Sequence, residues 1–230
     1  MERLLLIETS TSLCSTALAE DGKIVSFRES GEPRAHASMT AVFVQEMLQE
    51  RGLRVQDCDA VCVGMGPGSY TGLRVGVSTA KGLCFGAQVP LVAVGTLDTL
   101  AAQACDEGLL PEGCRWIVPM VDARRMEVYT AVFSPAGERV TEVESRIIDA
   151  ESFAAERSEG PVLFIGDGAG KCEGVLGGPD AHFVQCFPKA AAMLRPALDR
   201  FHAKRFEDIA YFEPFYLKQF MTTTSRKRLF

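Results

Sequence analysis

The same order of strand and helix signals runs through this chain twice. In the first half, apolar stretches at 4–7 and 14–19 precede Asp21-Gly22, a strong hairpin signal, and a third stretch at 24–27. A long periodic segment at 36–51 stops at Gly52, which suits a helix C-terminal cap. A short buried strand at 61–64 enters a glycine-rich turn and a helix at 71–87, and a strand at 90–94 leads to a helix at 96–105 capped by Thr96. After a loop at 106–115 the order returns: strands at 116–121, 127–133 and 140–143, a short helix from Asp149 to about 157, and a strand at 162–165. Gly166-Asp167-Gly168-Ala169-Gly170 then opens a weak helix, followed by a strand at 182–186 and a last helix at 188–204.

A three-stranded meander feeding two crossover units, made twice, predicts an α/β chain of two RNase H-like halves. This is the actin and sugar-kinase (ASKHA) architecture, each half a mixed sheet with flanking helices. The expected divisions are 1–105 for the first half, 106–210 for the second and 211–230 for a tail, with the final helix packing back on the first half. Ligands of paired α/β halves sit at the carboxyl ends of strands, in the cleft between them. That gathers 8–12, 64–71, 122–125 and 166–170 around one crevice.

Composition removes some functions. With 24 Lys+Arg against 30 Asp+Glu, the net charge of -6 argues against broad, sequence-blind nucleic-acid binding. A local basic patch stays open. None of the eight cysteines forms a Cys-x-x-Cys pair, so they are expected to be reduced packing thiols in a cytoplasmic protein. The apolar run before Glu8 is too short for a signal peptide or a bilayer span, so no membrane association is expected.

The most informative stretch is Gly64-Met65-Gly66-Pro67-Gly68-Ser69-Tyr70-Thr71-Gly72-Leu73-Arg74. Glycines between a buried strand and a helix suit a tight turn whose amides cradle an anion, with Arg74 adding charge. The alternative is that Gly66 and Gly68 only turn the chain while Thr71 caps the helix. No Gly-Lys-[Ser/Thr] follows, so this is not a Walker loop.

Residues 66–74 resemble the signature of the TsaB (YeaZ) family. The resemblance extends to Ile7-Glu8-Thr9-Ser10-Thr11 with Cys14-Ser15, to Asp122-Ala123-Arg124-Arg125 with Val128-Tyr129, and to Glu213-Pro214-Phe215-Tyr216-Leu217. It implies a non-catalytic scaffold of bacterial tRNA threonylcarbamoyladenosine synthesis. Its implied partners are TsaD, the related subunit that performs the transfer, and TsaE, a small ATPase. A homodimer without TsaD and an indirect link to tRNA through the complex are further implications.

The residues agree with a fold that lacks an enzyme's parts. The hairpins Glu8-Thr9-Ser10-Thr11-Ser12 and Asp122-Ala123-Arg124-Arg125-Met126 contain no glycine, so a Cβ at each position hinders close approach to a triphosphate. The catalytic relative implied by the resemblance carries His-x-x-x-His on its first long helix, two metal ligands on one face. Here the run is His36-Ala37-Ser38-Met39-Thr40, so His36 is expected to be a helix-start residue and no metal site is expected. No resident cofactor is expected either. Thr9, Ser10, Gly66, Gly68, Arg74 and Arg124 are the candidate lining of a degenerate cleft, and weak nucleotide binding there or at a subunit interface stays open. An actin-like ATPase or small-molecule phosphotransferase is the competing reading, and a homodimeric module with no enzymatic partner is a third.

Two long helices offer another role. On 36–51, Met39, Phe43 and Met47 share one side with Val42 flanking, while Ala37, Ala41, Val44 and Leu48 lie nearly opposite, more apolar surface than one sheet contact needs. On 71–87, Gly72, Gly76, Ala80 and Cys84 form a small-residue face. Met39, Val42, Phe43, Met47, Gly72, Gly76 and Ala80 are therefore the candidate interface for TsaD or a second copy; the alternative is that both helices bury within their own domain. The aromatic stretch 211–217 is expected to lie against the body or a partner, and the basic trio Arg226-Lys227-Arg228 to lie in a solvated tail.

Overall fold

The protein is described by a computed structural model covering residues 1–217. In its first half β1 (Arg3–Glu8), β2 (Cys14–Glu20) and β3 (Lys23–Ser30) form an antiparallel meander. Helix α1 (Ala35–Glu50) leads to β4 (Ala60–Gly66), α2 (Tyr70–Ala87), β5 (Leu91–Gly95) and α3 (Thr96–Asp106). The sheet order is β3-β2-β1-β4-β5, with β1, β4 and β5 parallel. The second half repeats this with β6 (Trp116–Asp122), β7 (Glu127–Thr130), β8 (Glu144–Ile147), α4 (Ala154–Ser158), β9 (Val162–Ile165), α5 (Ala169–Leu176) and β10 (Ala181–Val184). Its order, β10-β9-β6-β7-β8, is the first sheet's order run from the opposite edge. These are two RNase H-like halves, as the repeated signals predict.

The central strands are apolar on both faces because helices cover both. Leu5, Ile7, Val61 and Val63 point to one core with Val44, Met47, Leu48, Val77 and Ala80 from α1 and α2. Leu4, Leu6, Cys62 and Val92 point to the other, where Ala190, Met193 and Ala197 cover them. Ala190–Met193 is a 3-10 turn leading into α6 (Leu194–His202), so the expected single helix at 188–204 is shorter and split. This turn and α6, the last helix among the described residues, therefore seal the first half's sheet, and Ser15 Oγ accepts from Ala190 N in the turn at 3.0 Å.

The third strand of the second half differs from expectation. Residues 140–143 form no strand; β8 starts at Glu144, because Phe133 instead bridges Ile117 and Arg139 around the Pro135–Gly137 turn. Caps differ too. Ser69, not Thr71, caps α2 by accepting from Gly72 N at 3.3 Å, and Gly95, not Thr96, occupies the N-cap of α3. Asp149 does not cap α4 directly but holds the preceding turn through Glu151 N and Ser152 Oγ.

Residues 207–216 return to the first half. Glu207 N bonds Leu91 O on edge strand β5, Ile209 and Phe212 pack on the first core, and Lys81 Nζ donates to the carbonyls of Ala210 and Phe212. Phe215 N then donates to Met65 O at 2.8 Å beside the glycine-rich turn. The basic trio at 226–228 lies outside the described residues. Among the described residues no helix is long and apolar enough to cross a membrane, and all eight cysteines are free.

Candidate functional site

A cleft of about 760 Å³ opens between the two halves. The carboxyl ends of β1, β4, β6 and β9 point toward it, which brings Ser10, Thr11, Gly68, Ser69, Asp122, Arg124 and Asp167 to its walls. The N-termini of α1 and α2 reach it through His36 and through Ser69, Tyr70 and Thr71.

The turn after β1 is not an open phosphate loop. Glu8, Thr9, Ser10 and Thr11 are 0%, 0%, 1% and 5% exposed. A Cβ on Gly68 would overlap Ser10 O, one on Gly72 would overlap Thr9 O, and one on Gly76 would overlap the Thr9 hydroxyl. These glycines form a track along which the segment lies, stitched by Ser69 N donating to Ser10 O at 2.6 Å and Thr9 Oγ1 donating to Gly72 O at 2.9 Å. One amide of the glycine-rich turn, that of Ser69, is thus taken by the protein's own carbonyl and not open to an anion. Gly66, at φ +107, is the position where the turn itself requires glycine.

Sequence reasoning passed over Glu8. Its carboxylate fills space left by Gly64, whose Cβ would overlap it, and its Oε1 accepts from Ser10 N at 2.6 Å. Among the described residues Oε2 has no partner, nor have the Ser10 and Thr11 hydroxyls. Burial pushes the Glu8 carboxyl up to about 7, with the Ser10 contacts opposing the rise. A carboxylate ending a strand paired on both sides is the available signal, since such a residue cannot point to the sheet edge.

The matching turn in the second half is open. Asp122, Arg124 and Arg125 are exposed, and both arginines hold left-handed backbone, at φ +72 and +51. Arg124 N donates to Asp122 Oδ1 at 2.7 Å, while Lys171 Nζ contacts the same oxygen and donates to Glu127 O at 2.7 Å. Asp167 accepts from Asp122 N at 2.9 Å, and burial raises its pKa above the usual aspartate range.

Of the six candidate cleft residues, Ser10, Gly68 and Arg124 line the cavity. Thr9 and Gly66 are buried behind it. Arg74 flanks it, stacking over Tyr70 at 4.0 Å and donating to the Tyr216 hydroxyl at 3.2 Å, while Tyr70 and Tyr216 lie 5.1 Å apart. His36 Nε2 is 2.9 Å from Thr11 O, and the Thr40 hydroxyl donates to His36 O at 2.6 Å. The first contact joins α1 to the buried turn, and the second lies within the helix. Among the described residues no three His, Cys, Asp or Glu side chains cluster as a metal would need.

The candidate interface requires correction. Phe43, Met47, Gly72, Gly76 and Ala80 are buried inside this chain. The two apolar stripes of α1 combine into one broad inward face of Thr40, Phe43, Val44, Met47 and Leu48. The glycine stripe of α2 meets Thr9, not solvent, because the buried turn needs that close approach. Val42 remains exposed and Met39 half-buried, joined on the outer surface by Ala37, Ala41, Ser78, Gly82 and Phe85.

Comparison with known proteins agrees with this geometry. Residues 32–168, more than half of the chain, match the family model described as TsaD: tRNA N6-adenosine threonylcarbamoyltransferase. The tRNA threonylcarbamoyladenosine biosynthesis protein TsaB of Escherichia coli (strain K12) is 38% identical over 131 residues, 57% of this chain and 54% of that protein. The match thus spans about half the length of that relative. TsaB of Bacillus subtilis (strain 168) is 30% identical over 167 residues, 71% of this chain and 70% of that one. The solved structure of YeaZ from Pseudomonas aeruginosa superposes with a TM-score of 0.80 at 29% identity, covering 94% of this chain and 100% of that one. A chain with two RNase H-like halves, a glycine track over its first turn and these relatives belongs to the TsaB (YeaZ) family.

Proposed function

We propose that this chain is a non-catalytic scaffold and activator in the synthesis of threonylcarbamoyladenosine on tRNA, working in the cytoplasm by binding the transferase subunit TsaD. The observation that carries the proposal is the outer face of α1 and α2. Both helices turn their inward residues to one core, so their outward residues share one molecular surface. That surface carries small or apolar residues, Ala37, Ala41 and Val42 on α1 with Gly82 and Phe85 on α2, beside the hydroxyls of Ser38 and Ser78. Val42 is 38% exposed and Phe85 73%. A Cβ on Gly82 or Gly86 would meet nothing within 4 Å, so nothing among the described residues calls for glycine there. Each mid-helix glycine costs about 1 kcal/mol relative to alanine. Close approach by another helix offsets that cost and covers the apolar residues.

The cleft supports a non-catalytic role. The first turn lies buried under α2 with its Ser10 amide held by Glu8, and the second carries arginine side chains where main chain would have to approach a triphosphate. The same outer face serves a homodimer when TsaD is absent, and TsaE joins the assembled pair.

The test is threonylcarbamoyl transfer to tRNA with purified TsaD, TsaE and threonylcarbamoyl-adenylate. Transfer is expected to require this chain and to fail when folded Val42→Glu replaces it. Transfer at an equal rate without this chain would contradict the proposal.

A further inference from the structure

The second turn and the cleft beside it carry features that the scaffold role leaves unused. Arg124 and Arg125 project from the tip of the β6–β7 hairpin, both exposed and both in left-handed backbone, which strains any residue with a Cβ. Glycine or asparagine fits that geometry better, so shape does not explain two arginines. Arg34, exposed at φ +67, is the N-cap of α1, two residues before the cleft-lining His36. Among the described residues none of the three guanidiniums is in an ion pair, although the chain carries a net charge of -6.

The surroundings favour an anion. Helices α1 and α2 both aim their N-termini at the cleft, and neither has an acidic residue in its first turn. Of the carboxylates near the cleft, Asp122 is engaged with Lys171 and Asp167 with the Asp122 amide, while Glu8 is fully buried beneath the first turn. On the floor, the Thr11 hydroxyl is more than nine-tenths buried and lacks a partner among the described residues. A free triphosphate is a poor match, because the main chain of both turns is withheld from it. Long arginine side chains at an exposed rim suit a phosphodiester approaching from outside.

We propose that the mouth of this cleft binds RNA directly, with Arg124 and Arg125, supported by Arg34, holding backbone phosphates of the tRNA. This rests on the proposed function for the identity of the RNA and adds a direct contact to the indirect one implied by family resemblance.

Equilibrium binding of the full chain to an unmodified tRNA transcript, by fluorescence anisotropy across a salt series, tests the idea. No partner protein is needed, so failure to pair with TsaD leaves the measurement readable. Arg124→Gly with Arg125→Gly removes both charges while suiting the left-handed backbone, so the fold is retained. Affinity is expected to fall severalfold and the log–log salt slope to flatten by roughly one per arginine removed. Arg124→Lys with Arg125→Lys is expected to keep most of the affinity. Unchanged affinity in the double glycine variant, or no tRNA binding by the wild-type chain, would overturn the proposal. Displacement of tRNA by inorganic phosphate or AMP at matched ionic strength would also overturn it, assigning the rim to a free phosphate. Loss of TsaD pairing with tRNA affinity intact would overturn it too, in favour of a protein contact.

Discussion

The β1–β2 and β6–β7 turns occupy the same place in two repeats of one topology, yet one is sealed and the other open. The first is buried from Glu8 to Thr11 beneath the glycine track of α2. The second displays Asp122, Arg124 and Arg125 to solvent. Both halves keep a positive-φ glycine at the end of the next parallel strand, Gly66 and Gly166, so the strand-to-helix turns match. What differs is the helix that follows. On α2, Gly72 lets the helix meet the Thr9 carbonyl and Gly76, one turn on, the Thr9 hydroxyl, whereas α5 is short and meets its surroundings through side chains such as Gln185 near Gly170. A turn that in an open cleft would face ligand has become a structural joint in the first half.

Breaking that joint should give the largest effect. Gly72→Val forces a side chain into the Thr9 carbonyl, and a loss of roughly 3 kcal/mol or more is expected in urea unfolding. Gly170→Ala in the second half meets only the movable end of Gln185 and should shift stability by under about 1 kcal/mol. Equal effects at the two sites would remove the distinction between a sealed and an open turn.

Glu8 sharpens the comparison through pH. Its folded pKa of about 7 lies above the ordinary 4.5, so the native state holds the proton more tightly than the unfolded chain. Its contribution to stability is full below about 4.5, declines as pH rises, and is lost above about 7. The whole change amounts to roughly 3 kcal/mol. Glu8→Gln should therefore unfold at higher urea than wild type at pH 8 and lose that advantage by pH 4. Parallel pH profiles for the two proteins would contradict a buried, proton-holding carboxyl.

The open turn predicts a smaller change of the opposite kind. Arg124→Gly relieves a left-handed residue, and a gain on the order of 1 kcal/mol is expected from its thermal midpoint. Smallest of all, Val42→Glu alters an exposed position and should leave monomer stability within about 0.5 kcal/mol.

Much of this was legible before any coordinates. Alternating and continuous apolar runs revealed both sheets, because central strands covered on both faces admit little else. The missing glycines of the two turns were legible as well. The direction of α2 was not. Its helix carries two small-residue stripes, Gly72-Gly76-Ala80-Cys84 and Ser78-Gly82-Gly86, and periodicity cannot tell which one meets a backbone from its own chain. That depends on where the buried turn crosses, a contact about sixty residues away in sequence that local pattern does not encode. Likewise Phe43 and Met47 belong to the core because α1 presents one broad face, which two separate stripes obscured. A Gly76→Arg change would consequently probe the fold and not a partner surface.

The central claim is that this chain acts through the outer face of α1 and α2. Sedimentation velocity of the chain mixed with TsaD tests it most directly, with wild type, Val42→Glu and Lys23→Glu on the exposed edge of β3 compared at equal concentration. The account predicts a heterodimer for wild type and Lys23→Glu and separate components for folded Val42→Glu. A heterodimer that forms as readily with Val42→Glu would contradict it.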